Sequence, residues 1–278
     1  MEHIVTIYDN PVISSFLSLI VGLFIGKDNL RLHDVLDWEQ AGDRFKVGEL
    51  EYPEYYLHQN FHGIPQGYLN KIAPVTYDAV TRFAAPPHEI KLRQQAISKI
   101  KGKPQRILDL GCGTGSSTLM LKQAFPEAEV VGLDLSPQML LMAEHKGSKN
   151  KLAIKWQQGL AEATSFPDEN FDLISVAFLF HETPVHISQA ILRECLRLLT
   201  LGGQIVILDG NQQRLRHTNW LIRLFHEPYS QAYAAENIDN WMQSLGYKEV
   251  ETNYIGWISQ LTTGFKILTE SRILNENS

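Results

Sequence analysis

Three glycines at alternate positions, Gly111, Gly113 and Gly115, lie between an apolar run and a helical pattern in this 278-residue chain. No other feature constrains the fold as strongly. The run Ile107 to Leu110 reads as a buried parallel strand. After the glycines, Ser116, Ser117 and Thr118 lead into the apolar positions Leu119, Met120, Leu121 and Phe125. A strand, a glycine turn and a helix start create a surface where backbone N–H groups can touch a ligand. Val130 to Asp134 reads as a second strand with a carboxylate at its end. Such an acid can accept two hydrogen bonds from the vicinal hydroxyls of a ribose. Together these elements imply a nucleoside-bearing ligand.

The glycine spacing narrows the ligand class. The dinucleotide fingerprint is G-x-G-x-x-G, whereas here it is G-x-G-x-G with Ser116 in the place of the third glycine. Asp109 to Gly115 resembles the first motif of class I S-adenosylmethionine-dependent methyltransferases. Asp134 to Leu140 resembles their second motif, and Gln158 to Asp172 their third. The likeness runs from about Pro87 to the C-terminus. It implies a Rossmann-like α/β fold: a seven-stranded, mostly parallel sheet with helices on both faces and a C-terminal antiparallel hairpin. It also implies S-adenosyl-L-methionine as cofactor. Asp134 would hold the ribose, while Gly111, Cys112, Gly113 and Gly115 form the turn around the methionine part. Asp109 would reach the ammonium, and Leu135 and Ala161 would border the adenine. Met139, Leu160, Glu162 and Phe178 complete the expected set. One position departs from the pattern: Leu160 stands where many relatives carry an Asp that accepts from the adenine amino group. Backbone groups, Glu162 or a water must serve instead, at a cost of about 0.5–1.5 kcal/mol.

Composition bounds the partners. A net charge of −6 gives no electrostatic reason to approach nucleic acid. Arg193, Arg197, Arg214, Arg216 and Arg223 read as a solvated face. Two cysteines, Cys112 and Cys195, cannot form a disulfide framework and read as reduced thiols, which fits a cytoplasmic location. Residues 12–25 are apolar and uncharged. As a helix they would span about 21 Å, short of a ~30 Å hydrocarbon core. No basic residue precedes them, which argues against a signal peptide. Ser14, Ser18, Gly22 and Gly26 put a small-residue stripe on one face of that helix. It reads as packing on the core or on a second subunit of a homodimer, as peripheral membrane contact, or as a guard at a lipophilic entrance.

Residues 1–85 read as an N-terminal helical and aromatic cap, and 86–278 as the ligand-binding core. Within the cap, 27–50 read as short helix and loop, and 51–73 as an aromatic segment broken by Pro53, Gly63, Pro65 and Gly67. Pro74 to Phe83 and Pro87 to Ile100 read as helices. The core then alternates. Ser136 and Pro137 open a helix as N-cap and first residue. Ala153 to Gln157 is the third strand and Phe171 to Ala177 the fourth. Val185 to Leu199 is a helix stopped at Leu201-Gly202-Gly203, and Gln204 to Asp209 is the fifth strand. Trp220 to Phe225 and Ile238 to Leu245 are helices, and Tyr247 to Ile255 pairs with Trp257 to Lys266 across Gly256.

Ligands of open α/β sheets bind beyond the carboxyl ends of the strands. The fourth strand ends at Phe178-Leu-Phe-His-Glu182, which makes His181 the candidate base and Glu182 its orienting or substrate-binding partner. Capping of the following helix is the competing role for His181. Tyr55, Tyr56, His58, Asn60 and His62 sit in a segment suited to a lid, or to packing the cap on the core. Tyr55, Tyr56, His62 and His181, with Trp220 and Phe225 after the fifth strand, are the expected substrate contacts; Tyr229 shares that rim. His58 and His62 have metal-ligand spacing but no third ligand, so no metal is expected. The resulting expectation is in-line methyl transfer to a small apolar or aromatic acceptor, by a monomer or homodimer. The alternatives are a non-catalytic S-adenosylmethionine-binding protein and an NAD(P)-dependent oxidoreductase.

Overall fold

The computed structural model describes residues 27–38, 41–84, 89–218 and 227–267. Seven strands form one sheet: β1 (Arg106–Leu110), β2 (Glu129–Asp134), β3 (Lys155–Gln158), β4 (Phe171–Ala177), β5 (Leu199–Gly210), β6 (Lys248–Ile255) and β7 (Ser259–Phe265). Their order is β3-β2-β1-β4-β5-β7-β6. The first five pair in parallel, and β7 runs antiparallel to both β5 and β6. The hairpin closes at Gly256, whose φ of 59° is left-handed. This is the expected Rossmann-like α/β class.

Eleven α-helices among the described residues accompany the sheet. They are α1 (Lys27–Val35), α2 (Ala41–Phe45), α3 (Glu54–Leu57), α4 (Ala73–Ala84), α5 (Glu89–Ser98), α6 (Ser116–Ala124), α7 (Pro137–Lys149), α8 (Val185–Leu198), α9 (Gln212–Leu215), α10 (Ser230–Ala235) and α11 (Ile238–Leu245). Strand alternation divides the core between the sheet's faces. Leu108, Ile174 and Ile205 join the α8 residues Ile191, Leu192 and Cys195 on one side. Ile107, Leu173 and Val206 join Leu92 of α5 and Leu121 of α6 on the other. Gly132 lets Trp156 and Cys112 approach β2, because a Cβ there would stand 2.6 Å from the Trp156 ring.

Several element boundaries differ from the sequence expectation, and for two of them the sheet pairing gives the reason. The strand expected from Gln204 begins at Leu199, so the Gly202-Gly203 pair lies inside β5 rather than in a turn before it. The irregularity is absorbed between Phe171 and Leu173 of β4, while Gly202 N donates to Lys266 O and Lys266 N to Gly203 O. Here the sheet's hydrogen bonds override a local breaker signal. β3 is shifted to end at Gln158, where it pairs with Asp134. The expected helices at 12–25 and 220–225 lie outside the described residues. No helix among the described residues is long and apolar enough to cross a membrane.

The strand order reverses at β1, whose neighbours are β2 and β4. The chain leaves β1 towards one edge and returns to β4 on the other side, so the loops after these strands diverge and leave a crevice. Residues 27–84 lie over this end: α2 contacts α7 and β3, and α4 contacts α7.

Candidate functional site

Past β1, Gly111 N and Cys112 N both donate to Leu133 O, at 2.8 and 3.0 Å, which fixes the glycine turn against β2. Gly113 N then donates to Asp134 Oδ2 at 2.7 Å, and Ser136 N to Asp134 Oδ1 at 2.8 Å. Ser136 also caps α7, accepting from Met139 N. Asp134 is thus held by one backbone donor on each oxygen, and each oxygen retains a second acceptor direction. Burial pushes its carboxyl up to about 6, against the pull of the Ser136 and Gly113 N–H groups. Gly113 has φ 54°, and a Cβ built on it would meet only Tyr77, at 4.0 Å. The turn is therefore an open cradle of backbone donors beside an acid. That donor set fits an amino-acid-bearing nucleoside with a free ribose diol.

The cradle opens into a partly enclosed cavity between the strand ends and the segment before the core. Its walls carry Gly111, Gly113, Asp134, Leu135, Met139, Ala161 and Phe178 of the expected cofactor set, with Tyr55, Tyr56 and Glu182 of the expected acceptor set. Other expected residues stand behind it. Asp109 is buried in β1, where it accepts from Thr118 Oγ1 at 2.6 Å; burial raises its carboxyl. Cys112 packs with Phe45, Leu140 and Trp156. At Gly115 an added Cβ would strike Trp156 and Ala143, so that glycine serves close helix packing. Leu160 forms an isolated bridge with Ala163, and Glu162 accepts from the Tyr55 hydroxyl at 2.8 Å. Tyr55 O in turn accepts from the Tyr229 hydroxyl. Trp220 and Phe225 lie outside the described residues. His58 pairs with Glu54 at the exposed end of α3, and Asn60 accepts from Gln66 N.

Sequence reasoning did not reach Phe61, Tyr68, Tyr77, Leu179 and Thr183, which also line the cavity. The breaker-rich spacing of 61–77 shows no periodicity that would mark an inward face. The aromatic content of the segment was the only available signal.

The polar floor of the cavity centres on Glu182. Its Oε1 accepts from the Tyr68 hydroxyl at 2.5 Å and from His62 Nε2 at 3.0 Å. Burial alone would raise this carboxyl, but the His62 bond, the neighbouring His181 charge and Tyr68 hold it below its usual range. His181 is 8% exposed and lies behind the wall. Its Nδ1 meets Asp209 Oδ1 at 2.6 Å, while Nε2 stands 3.8 Å from Glu182 and 4.0 Å from Glu227. Burial opposes its charge, yet Asp209 and Glu227 overcome this and lift the imidazole to about 10. At neutral pH His181 is a fixed cation. Asp209 is itself anchored by accepting from Leu179 N and Phe180 N. The backbone leading into this cluster is unusual, since Phe178 has φ 59°.

A second network ties the segment before the core to the glycine turn. Asp78 of α4 accepts from Thr114 Oγ1 at 2.5 Å and from Lys146 Nζ of α7 at 2.7 Å. Burial raises the Asp78 carboxyl, but Lys146 and Thr114 more than offset it and leave it lowered. Of the arginines read as a solvated face, Arg193 is exposed on α8, and three others make intramolecular bonds. Arg197 pairs with Glu194 and Asp168, and Arg214 and Arg216 donate to backbone carbonyls.

Comparison with known proteins matches residues 107–203 to a methyltransferase domain family. A demethylmenaquinone methyltransferase of Thermus thermophilus is 37% identical over 142 residues, covering 51% of this chain and 63% of the relative. Its Deinococcus radiodurans counterpart is 32% identical over 171 residues, covering 61% of this chain and 66% of the relative. The chain thus spans just under two thirds of the length of these relatives. Among solved structures, a methyltransferase from Aquifex aeolicus superposes with a TM-score of 0.55 at 18% identity, over 68% of this chain and 98% of that one. Phosphoethanolamine N-methyltransferase 2 of Haemonchus contortus, solved with S-adenosyl-L-methionine, gives 0.56 at 13% identity, over 80% of this chain and 61% of that one. At those identities the likeness concerns the fold.

Proposed function

We propose that this chain, whose core is a class I methyltransferase domain, transfers a methyl group from S-adenosylmethionine to a small quinone-like aromatic acceptor. The observation that carries the reading is one cavity into which the glycine turn, Asp134 and the carboxylate of Glu182 all open. Bound there, the cofactor supplies an electrophilic methyl group on a sulfonium. Asp134 would accept from the ribose hydroxyls through the acceptor directions that Gly113 and Ser136 leave open. The turn from Gly111 to Gly113 would carry the methionine part. Leu135, Met139 and Ala161 offer apolar edges to the adenine, and with Leu160 at the third motif no acid accepts from its amino group.

Tyr55, Tyr56, Tyr68, Tyr77 and Phe178 make the acceptor half of the cavity aromatic, which suits a flat ring and excludes water. Glu182 is its ionised polar group and would orient a ring hydroxyl. Alignment of the acceptor with the transferable methyl supplies most of the rate. The demethylmenaquinone methyltransferase names of the relatives point to the same acceptor class. The Leu160 departure keeps a non-catalytic binding protein as the second reading.

The test is transfer of labelled methyl from S-adenosylmethionine to 1,4-naphthohydroquinone. Label in the hydroquinone supports the assignment. Cofactor binding without transfer to any neutral aromatic acceptor supports the binding-protein reading. Competition by NADH for the cofactor would instead indicate an oxidoreductase.

A further inference from the structure

Ser116 stands where the dinucleotide pattern has its third glycine, and its hydroxyl belongs to a cluster of polar side chains beside the glycine turn. Lys146 Nζ of α7 donates to Asp78 Oδ2 at 2.7 Å, to Ser116 Oγ at 3.0 Å and to Thr114 Oγ1 at 3.2 Å. Thr114 Oγ1 donates to Asp78 Oδ1 at 2.5 Å, and Ser116 Oγ lies 3.4 Å from the same oxygen. Thr114 is 1% exposed, so its hydroxyl is shielded from solvent and takes Asp78 as its acceptor. One carboxylate from the segment before the core thus gathers the turn and the two helices that follow it.

The turn needs such a tether. Gly113 and Gly115 flank Thr114 in the left-handed region, at φ 54° and 77°, and glycines stay in one conformation only where neighbours fix them. Main-chain bonds hold part of the turn: Gly111 N and Cys112 N on Leu133 O, Gly113 N on Asp134, and Gly115 N on Cys112 O at 2.9 Å. The Thr114 hydroxyl supplies a side-chain anchor, and it runs to α4.

The residue beside Asp78 faces the ligand. Tyr77 lines the cavity, and its Cε1 stands 4.0 Å from a Cβ built on Gly113. Its ring meets Tyr68 edge-on, with centroids 5.9 Å apart, and Tyr68 bonds Glu182. A second tether keeps α4 in place. Thr81 Oγ1 donates to Glu89 Oε2 at 2.8 Å, and Glu89 pairs with Arg93, which reaches Ser117 at the start of α6. Asp78 and Tyr77 therefore act as neighbours with separate tasks: one grips the turn, the other walls it.

We propose that Asp78 is a positioning residue for the cofactor, holding the glycine turn and Tyr77, through Thr114 and Lys146, at the separation that grips the methionine part of S-adenosylmethionine. This rests on the methyltransferase reading and deepens it, because the segment before the core gains a share in cofactor recognition. The adenosine end meets a different set, Asp134, Leu135, Met139 and Ala161. Loss of the clasp accordingly weakens a ligand only through what that ligand places on the turn.

The test compares two ligands of the full chain by calorimetry. S-adenosylhomocysteine carries the amino-acid part, whereas methylthioadenosine has the same adenosine and sulfur but ends in a methyl group. Asp78→Asn removes the charge at constant volume, and Thr114→Val removes the hydroxyl at constant shape. Each is expected to weaken S-adenosylhomocysteine about tenfold and methylthioadenosine by less than about twofold. The double variant is expected to lose far less than the roughly hundredfold of two independent effects, since both changes cut one tether. Equal losses for the two ligands indicate a purely structural role and overturn the proposal, as does unchanged binding of both. A wild type that binds S-adenosylhomocysteine no tighter than methylthioadenosine also overturns it, because the turn then grips nothing. A wild type that binds neither ligand overturns the methyltransferase reading itself.

Discussion

The two halves of the cavity are built in opposite ways. The cofactor half is made of consecutive backbone: the turn from Gly111 to Gly115, strand β2 and the capped start of α7 lie within thirty residues and hold one another through main-chain donors. The acceptor half is made of side chains from distant parts of the chain. Glu182 meets Tyr68 across 114 residues, and Tyr55 meets Glu162 across 107. The backbone-built half leans on few side chains, chiefly the Asp134 carboxylate and the Ser136 cap. The side-chain-built half, locked by buried charges, leans on many.

Substitutions can break that contrast, and the largest effect should come from Asp209→Ala. It removes the carboxylate bonded to the buried His181 ring and leaves only the more distant Glu182 and Glu227, which should cost about 3–5 kcal/mol of stability in denaturant titration. The same pair gives a pH signature. His181 is raised from 6.5 to about 10 on folding, so its contribution is complete below about 6.5 and is lost as pH rises through 10. Wild type should therefore lose stability across that alkaline window, and Asp209→Ala should show a flatter profile.

Next, Glu182→Gln should lower turnover with a naphthohydroquinone by about 10²-fold while leaving cofactor affinity nearly intact, because it removes the charge that orients the acceptor. Equal losses in both measurements would erase the distinction between the halves. On the cofactor side, pH sharpens the comparison. The Asp134 carboxyl, raised to about 6, accepts best when ionised, so affinity should fall as pH drops through 6, and titration should show proton release on binding below it. The smallest effect is expected for Tyr55→Phe. It removes one bond to Glu162, worth about 0.5–1.5 kcal/mol, and should raise KM for the acceptor more than it lowers kcat.

The same contrast explains what was legible in the sequence. Asp134, Ser136 and the three glycines could be read because turn, cap and strand chemistry is local, and buried parallel strands appear as contiguous apolar runs. β5 began five residues earlier than expected because Gly202 and Gly203 imitate a turn while the sheet pairs through them. The third strand likewise took its end from pairing with β2. In the acceptor half, Tyr55, Tyr56 and Glu182 were found by composition and by their place after a strand. Tyr68 and Tyr77 were not, because nothing near them in sequence reports a partner a hundred residues away. His181 stood at the right strand end, but its neighbours Asp209 and Glu227, which set its charge, come from other elements.

The most direct measurement is calorimetric titration of S-adenosylmethionine and S-adenosylhomocysteine into wild type and Asp134→Ala. Both ligands should bind wild type in about the micromolar range. The variant should lose about 1–3 kcal/mol, the scale of charge-assisted hydrogen bonds. A folded wild type that binds neither ligand, or an Asp134→Ala protein that binds as tightly, would contradict the account.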